Sequence, residues 1–399
     1  MNKSDNLVMG LDIGSSKICC AICEIDTQGT LNLRGIGTSI SGGLSKGEIV
    51  DEEELQRSLT RAISRAEREA RVSTPNVITN LPVKHLQFVR NIGILVSEEQ
   101  SGQISLSDQQ ESVRRSKNIV KKPDQQILHI IPLHYKVDNL IVQNPVGVFG
   151  KSLEVETKLI LSNTQTIQRV TSILKRLNLK IKGIVYDALS HSQVCLTEEE
   201  RKQGAVCIDF GGGFTKVDVF KNNVLQHALI VPLGSETLTR DIAHCLKVSI
   251  PEAERLKIIH GNVDINSIDP NETIEITALE EGRKTVNKLL LCQIIEARMS
   301  ELFRYINKRI SLDLGPDYTM VTAGGGALLK GLNAFLKNRY LMEVREGVPD
   351  DIGAIIDSSA YATAIGLVLF GVKSKVIAYE KTDSHSLNNK VKQWLQKLF

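Results

Sequence analysis

Cys207 to Phe220 reads CIDFGGGFTKVDVF: an apolar strand that ends on Asp209, three glycines at Gly211, Gly212 and Gly213, and a second strand with alternating side chains. Glycines admit backbone angles that other residues resist and bring bare N–H groups close to a ligand, so the stretch suits the phosphates of a nucleotide. Taken alone, it suits an ordinary tight turn equally well. A second copy near the start tips that balance. Gly10 to Ile18 reads GLDIGSSKI, and Asp12, Gly14 and Lys17 repeat in type and order as Asp209, Gly211 and Lys216. Two such hairpins, about half a chain apart, predict two related lobes closing on one polyphosphate. A third glycine run, Gly324, Gly325 and Gly326, predicts a place where backbone passes flat against a base or sugar.

Such turns need strands to carry them and helices to back them. A strand is expected over 31–39, and a helix over 51–72 with Leu55, Leu59, Ala62, Ile63 and Ala66 on one face, opened by a capping box of Asp51 and Glu54. A buried strand over 77–81 stops at Pro82. Strand, strand, strand, helix, strand is an α/β order. From 84 to 162 the texture changes: apolar strands over 127–132 and 153–161 surround one polar helix over 108–120, with turn signals at Asn144-Pro145 and Phe149-Gly150-Lys151. This reads as an inserted subdomain. Arg114, Arg115 and Lys117 on its helix have no interleaved aromatics to stack bases and read as a solvated face.

An amphipathic helix over 166–177 and a strand over 182–185 lead to the second hairpin, followed by a strand over 225–233 and helices over 235–245 and 251–259. Glu254 and Lys257 share a face of the last of these. They fit either a surface ion pair of little worth or a polar clamp on a ribose or base, and the nearby cradles favour the clamp. A long helix is expected over 280–310, a strand over 318–321, a helix over 327–338, and an apolar helix rich in small residues over 358–369.

At 399 residues the chain has room for two lobes built from several subdomains. Its 49 basic and 46 acidic residues give no global electrostatic case for nucleic acid. No apolar run approaches the roughly 18 residues that span a bilayer, and MNKSDNLV has no signal-peptide core, so a cytosolic chain is expected. Cys20 and Cys23 have a suggestive spacing but lie in an alternating strand, and no Cys/His cluster or HExxH pair completes a metal site. The seven cysteines read as small, mostly buried residues in a reducing compartment.

The polar stretch 379–386 looks like a tether, and LNNKVKQWLQKLF over 387–399 a helix. Val391, Trp394, Leu395 and Leu398 form its stripe, with Lys390, Lys392 and Lys397 flanking and Phe399 closing it. Such a helix can dock on its own core, but the tether and the placement of the only tryptophan favour the headgroup region of an anionic membrane. Each lysine there is worth about 1 kcal/mol. One copy would bind reversibly, and several on one assembly far more tightly.

The glycine turns, with Ile127 to Pro132, Asn144 to Gly147, Leu238 to Ala243, Ala253-Glu254, Thr322 to Ala327 and Tyr361 to Gly366, resemble the actin-like ATP-binding superfamily and, within it, the FtsA family of bacterial cell-division proteins. The insert and the terminal helix carry the narrower resemblance. It implies an actin-like two-lobed fold with duplicated phosphate-binding hairpins: first-lobe core over 1–83, 163–193 and 357–378, insert over 84–162, second-lobe core over 194–230 and 305–356, and its small subdomain over 231–304. It implies ATP and Mg²⁺ in the cleft, with Asp12 and Asp209 holding the ion through its waters, Gly14, Ser15, Ser16, Lys17 and Gly211 to Gly213 holding phosphates, and Glu254, Lys257 and Gly324 to Gly326 lining the nucleoside. It implies filaments, binding of the FtsZ C-terminal tail on the small subdomain, and contacts with later division proteins through the insert. The chain would then sit on the cytoplasmic side of the inner membrane at the division septum.

Two departures bear on turnover. The family pattern Gly-Gly-Gly-Thr-x-Asp becomes Gly213-Phe214-Thr215-Lys216, removing a hydroxyl and a carboxylate, and Asp218 lies roughly 7 Å further along the strand. Where the family tends to show Glu-Pro-Leu-Ala-Ser, Asp187 leads Ala188-Leu189-Ser190-His191, one methylene shorter as a water-positioning catalytic carboxylate. Nucleotide binding with slow or absent hydrolysis is expected. A PilM-like adaptor of type IV pilus assembly or a small-molecule kinase of the superfamily are the alternatives. A heat-shock chaperone would need a peptide-binding domain after the ATPase and is not expected, with only about 30 residues following Phe370.

Overall fold

The computed structural model describes residues 6–25, 31–74, 76–82, 84, 86–96, 102–312, 314–347 and 361–374. The expected tether (379–386) and terminal helix (387–399) lie outside the described residues.

Two five-stranded sheets repeat one topology. In the first, Leu7–Ile13 pairs antiparallel with Lys17–Ile25, which pairs antiparallel with Leu31–Ile40; its other edge runs parallel to Asn76–Thr79, and that strand parallel to Lys180–Ile184. In the second, Ala205–Phe210, Thr215–Lys221 and Val224–Val231 form the antiparallel side, and Thr319–Ala323 and Glu343–Glu346 the parallel side. The registers superimpose the hairpins. Asp12 faces Cys19 and Ile13 faces Ile18, as Asp209 faces Lys216 and Phe210 faces Thr215. The turns are therefore 14–17 and 211–214, and the equivalent of Lys17 is Phe214. The expected match of Lys17 with Lys216 is off by two residues, because residue type was matched where the ladder counts position.

Helices cover the outer faces for reasons visible in their sequences. Glu52–Ala70 starts at Asp51, whose carboxylate accepts the Glu54 N–H at 3.0 Å, and buries Leu55, Leu59, Ala62, Ile63 and Ala66 against the first sheet. Glu54 turns to Arg57 Nε at 2.8 Å, so the cap is one-way rather than the expected box. Thr164–Arg176, capped by Asn163, adds Ile167, Val170, Ile173 and Leu174 to the same core. Between the lobes lie Asp187–Cys195 and Ala362–Ser374, around which Cys19, Cys23, Cys195, Cys207, Val321 and Ile365 share one core. The cysteines there are packing residues. Burial pushes the Cys19 and Cys23 thiols up to about 12, and only Cys245 is exposed.

The insert is a four-stranded antiparallel sheet ordered Leu140–Val142, Gln125–Val137, Ser152–Asn163, Gln87–Val96, with the helix Leu106–Arg115 against it. That helix begins earlier and ends earlier than expected, because Ser105 and Asp108 form a reciprocal capping box (2.8 and 3.2 Å). Glu111 takes both Arg114 (2.6 Å) and Arg115 (3.0 Å). Pro132 sits in an inner strand where the ladder slips beside Thr157, which removes the need for its missing N–H.

The small part of the second lobe corrects the expected helix over 280–310. Thr273–Ala278 and Gly282–Asn287 form a hairpin turning at Gly282 (φ +70°), and the helix is Lys288–Asn307, capped by Asn287 accepting the Leu289 N–H at 2.7 Å. The expected helix over 327–338 is likewise split. A 3₁₀ turn at Gly325–Leu328 precedes Leu332–Arg339, with Gly331 at φ +77° between them. Among the described residues, no helix is long and apolar enough to cross a membrane.

Candidate functional site

Both hairpin turns project from the ends of their strands into the space between the lobes, and they touch. A Cβ on Gly212 would lie 2.5 Å from Ser16 Cβ and Oγ, and one on Gly213 would lie 3.0 Å from Ser15 Oγ. A side chain at Gly212 would force Ser16 aside, and one at Gly213 would crowd Ser15. Gly211 N–H closes its turn on the Phe214 carbonyl at 3.0 Å, and the amides of Ser235 and Glu236 donate to the Gly211 and Gly212 carbonyls (3.0 and 2.9 Å), fixing the helix Ser235–Leu246 against the turn. Its positive end faces the cleft.

Every residue expected to bind nucleotide, together with Asp187, lines one cavity of about 510 Å³ between the lobes. One end is backbone and carboxylates. The other is apolar, formed by Leu238, Ile258, Met299, Leu302, Leu328 and Leu329. Gly324, at φ +80°, passes so near Asp209 that a Cβ would meet Oδ1 at 2.3 Å. Lys257, nearly buried, donates to Glu254 Oε2 (2.7 Å), Thr239 Oγ1 (2.9 Å) and the Ser235 carbonyl (3.3 Å), so the pair is a fixed part of the cavity wall. Lys17 lies over the Tyr361 ring at 4.8 Å.

Beneath the turns lies a buried charge cluster. Lys216 Nζ donates to Asp187 Oδ2 and, at 3.0 Å, to Asp209 Oδ2. His191, one helical turn after Asp187, places Nδ1 3.7 Å from the same Asp209 oxygen and Nε2 3.2 Å from Thr363 Oγ1. Asn80 holds Asp12: its Nδ2 donates to Asp12 Oδ1 at 2.6 Å while its Oδ1 accepts the Ile13 N–H at 2.7 Å. Burial, then Asp187, pushes Asp12 up to about 7. Burial opposes the charge on Lys216, but Asp187 and Asp209 outweigh it and hold the ammonium well above its ordinary value. Asp209 stays below its ordinary value despite burial, through Lys216 and then His191.

At the second glycine turn, neither Thr215 nor Asp218 replaces the missing hydroxyl or carboxylate. Thr215 commits its hydroxyl to the Leu233 carbonyl at 2.7 Å. Asp218 is buried under Tyr186, whose hydroxyl donates to its Oδ1 at 2.9 Å. Phe214, in the missing hydroxyl's place, packs across the cleft on Gly47 of the first lobe. Asn80, His191, Thr363 and the Arg298–Asp241 pair (2.5 and 2.9 Å) at the cavity rim went unread in the sequence. A lone polar residue at a strand end or in a helix carries no local signature; only Asn80, between a buried strand and Pro82, stood where one could be sought.

A family model described as cell division protein FtsA matches residues 206–366, and one described as the SHS2 domain inserted in FtsA matches residues 83–161. Cell division protein FtsA of Escherichia coli K12 is 28% identical over 98% of both chains, that of Borreliella burgdorferi 28% over 99% of both, and that of Neisseria meningitidis serogroup B 26% over the whole of both. This chain belongs to the FtsA family. Among solved structures, the PilM–PilN type IV pilus biogenesis complex aligns with a TM-score of 0.67 at 16% identity, covering 92% of this chain and 98% of that one. MreB5 of Spiroplasma citri bound to AMPPNP gives 0.54 at 12% identity, covering 91% and 95%. These likenesses establish an actin-like ATPase fold for this FtsA-family cell-division protein.

Within that family setting, the expected Mg²⁺ at Asp12 and Asp209 does not fit the residues around it. A hydrated ion needs carboxylate oxygens open to its waters. Here the Lys216 ammonium stands between Asp187 and Asp209 and takes Asp209 Oδ2, and Asp12 Oδ1 is taken by Asn80. Among the described residues, no group of three His, Cys, Asp or Glu is arranged to hold a metal.

Proposed function

We propose that this FtsA-family chain binds ATP between its lobes, assembles into actin-like filaments, and tethers FtsZ filaments to the cytoplasmic face of the inner membrane while recruiting later division proteins. The observation that carries the nucleotide is the cavity itself: glycine turns from two repeated lobes meet at one end and an apolar pocket lies at the other, which is the polarity of a nucleoside triphosphate. Gly14, Ser15, Ser16, Lys17 and Gly211 to Gly213 hold phosphates in this reading; Glu254, Lys257 and Gly324 to Gly326 flank the nucleoside. Asp187, engaged by Lys216, makes a poor base, so turnover is slow or absent.

Two surfaces support the partners. Ile250, Ile259, Leu279 and Leu290 are exposed on the small part of the second lobe, where the FtsZ tail would bind. The insert's edge strand Gln87–Val96 exposes Ile92, Ile94 and Val96 and leaves a sheet edge open to another chain. The terminal helix, with Lys390, Lys392, Trp394 and Lys397, would reach the anionic surface. The test is flotation of the full chain with anionic vesicles and an FtsZ tail peptide, read with Trp394 fluorescence. Co-flotation and a blue shift, both lost on truncation after Ser386, are expected. Binding of the peptide without vesicle recruitment would instead favour a soluble adaptor of the PilM kind.

A further inference from the structure

The same residues that reject the expected ion supply a cation of their own. Lys216 reaches the cavity from the second residue pair behind the turn, is largely buried, and is fixed by two carboxylates, Asp187 and Asp209, with Asp12 beside them. Its backbone stands on the strand that carries the glycine turn, and the two carboxylates fix the ammonium at the end of its stem. We propose that the Lys216 ammonium takes the place of the divalent ion, so that the cleft holds a nucleoside triphosphate without metal. This rests on the nucleotide reading above.

A tethered cation differs from an exchangeable one in two respects. It lies there before ligand arrives, and chelators cannot remove it. Lys216 lines the same cavity as Gly211 to Gly213 and the first residue of the helix Ser235–Leu246, so its ammonium stands with the turn amides and the positive end of that helix where phosphate oxygens would enter. Lys17, held over Tyr361, adds a second positive charge at the first turn. The phosphates then meet two lysines, one from each lobe, where a metal site would offer an ion and its waters.

The full chain is titrated with a fluorescent ATP analogue in excess EDTA and again in excess magnesium, with thermal melting of each variant as a folding control. Affinities within about threefold of each other are expected for the native chain. Lys216→Met is expected to lose about tenfold or more in EDTA, and Lys216→Asp, which restores a carboxylate, to bind only with magnesium. If the native chain needs magnesium, with affinity falling about tenfold or more on chelation, the inference is overturned while the nucleotide reading stands. Absence of binding in both buffers overturns both. The native comparison decides the matter even where a Lys216 variant fails to fold.

Discussion

Asp209 and Lys216 face each other across one rung of the second hairpin, and Lys216 Nζ donates to Asp209 Oδ2 at 3.0 Å. The equivalent rung of the first hairpin holds Asp12 and the neutral Cys19, so the duplicated lobes differ in charge at the point where their turns converge. Removing one member of such a buried group leaves the others unpaired. Lys216→Met is expected to cost about 3–5 kcal/mol of stability, measured by urea unfolding, and Lys216→Met with Asp187→Asn to recover part of it. An unchanged midpoint would mean that the ammonium is not engaged as described.

The contact between Gly212 and Ser16 makes the two turns mutually dependent. Gly212→Ala should cost about 1–3 kcal/mol and weaken ATP binding, since its Cβ would overlap Ser16. Ser16→Gly in the same chain should relieve it, giving a coupling above about 0.5 kcal/mol in a double-mutant cycle. Additive effects would place the turns apart.

Phe214 ties the lobes through Gly47, which holds φ +72° and lies so near that a Cβ would meet Phe214 Cζ at 2.8 Å. Phe214→Ala is expected to cost roughly 3 kcal/mol and to widen the molecule in small-angle scattering, whereas Phe214→Leu keeps most of the contact. Equal behaviour of the two variants would remove the latch.

Burial raises Asp218 from its ordinary 3.8 to about 8, with Tyr186 donating to it. A carboxyl whose folded pKa is raised contributes stability that is complete below 3.8 and lost as pH rises through about 8. The melting midpoint should therefore fall from about pH 6 to about pH 8.5, and fall less in Asp218→Asn. Parallel slopes would show that another group governs the loss.

Steady-state phosphate release should not exceed a magnesium-free control, because Lys216 engages Asp187. A rate well above that control would show a working base.

The duplication was legible because a hairpin with an aspartate before glycine leaves a local signature, and both copies carry it. Asp12, Asp209 and the three glycine groups were therefore found by type and order alone. What the sequence hid depends on register and long-range packing. Lys216 looked like the partner of Lys17 until the ladder showed that Phe214 holds that position. Asn80 and His191 act on carboxylates more than a dozen residues away. The hairpin at Gly282 passed for helix because Lys288–Asn307 continues directly from its second strand, and a charged Glu-Glu-Gly turn is a weak punctuation inside a polar stretch.

The central claim is that one nucleotide lies between the repeated turns. A crystal structure of the chain with a non-hydrolysable ATP analogue tests it most directly. Triphosphate density between residues 14–17 and 211–214, with the base toward Met299 and Leu302, is expected. An analogue seated elsewhere, or an empty cleft at saturating concentration, would contradict it.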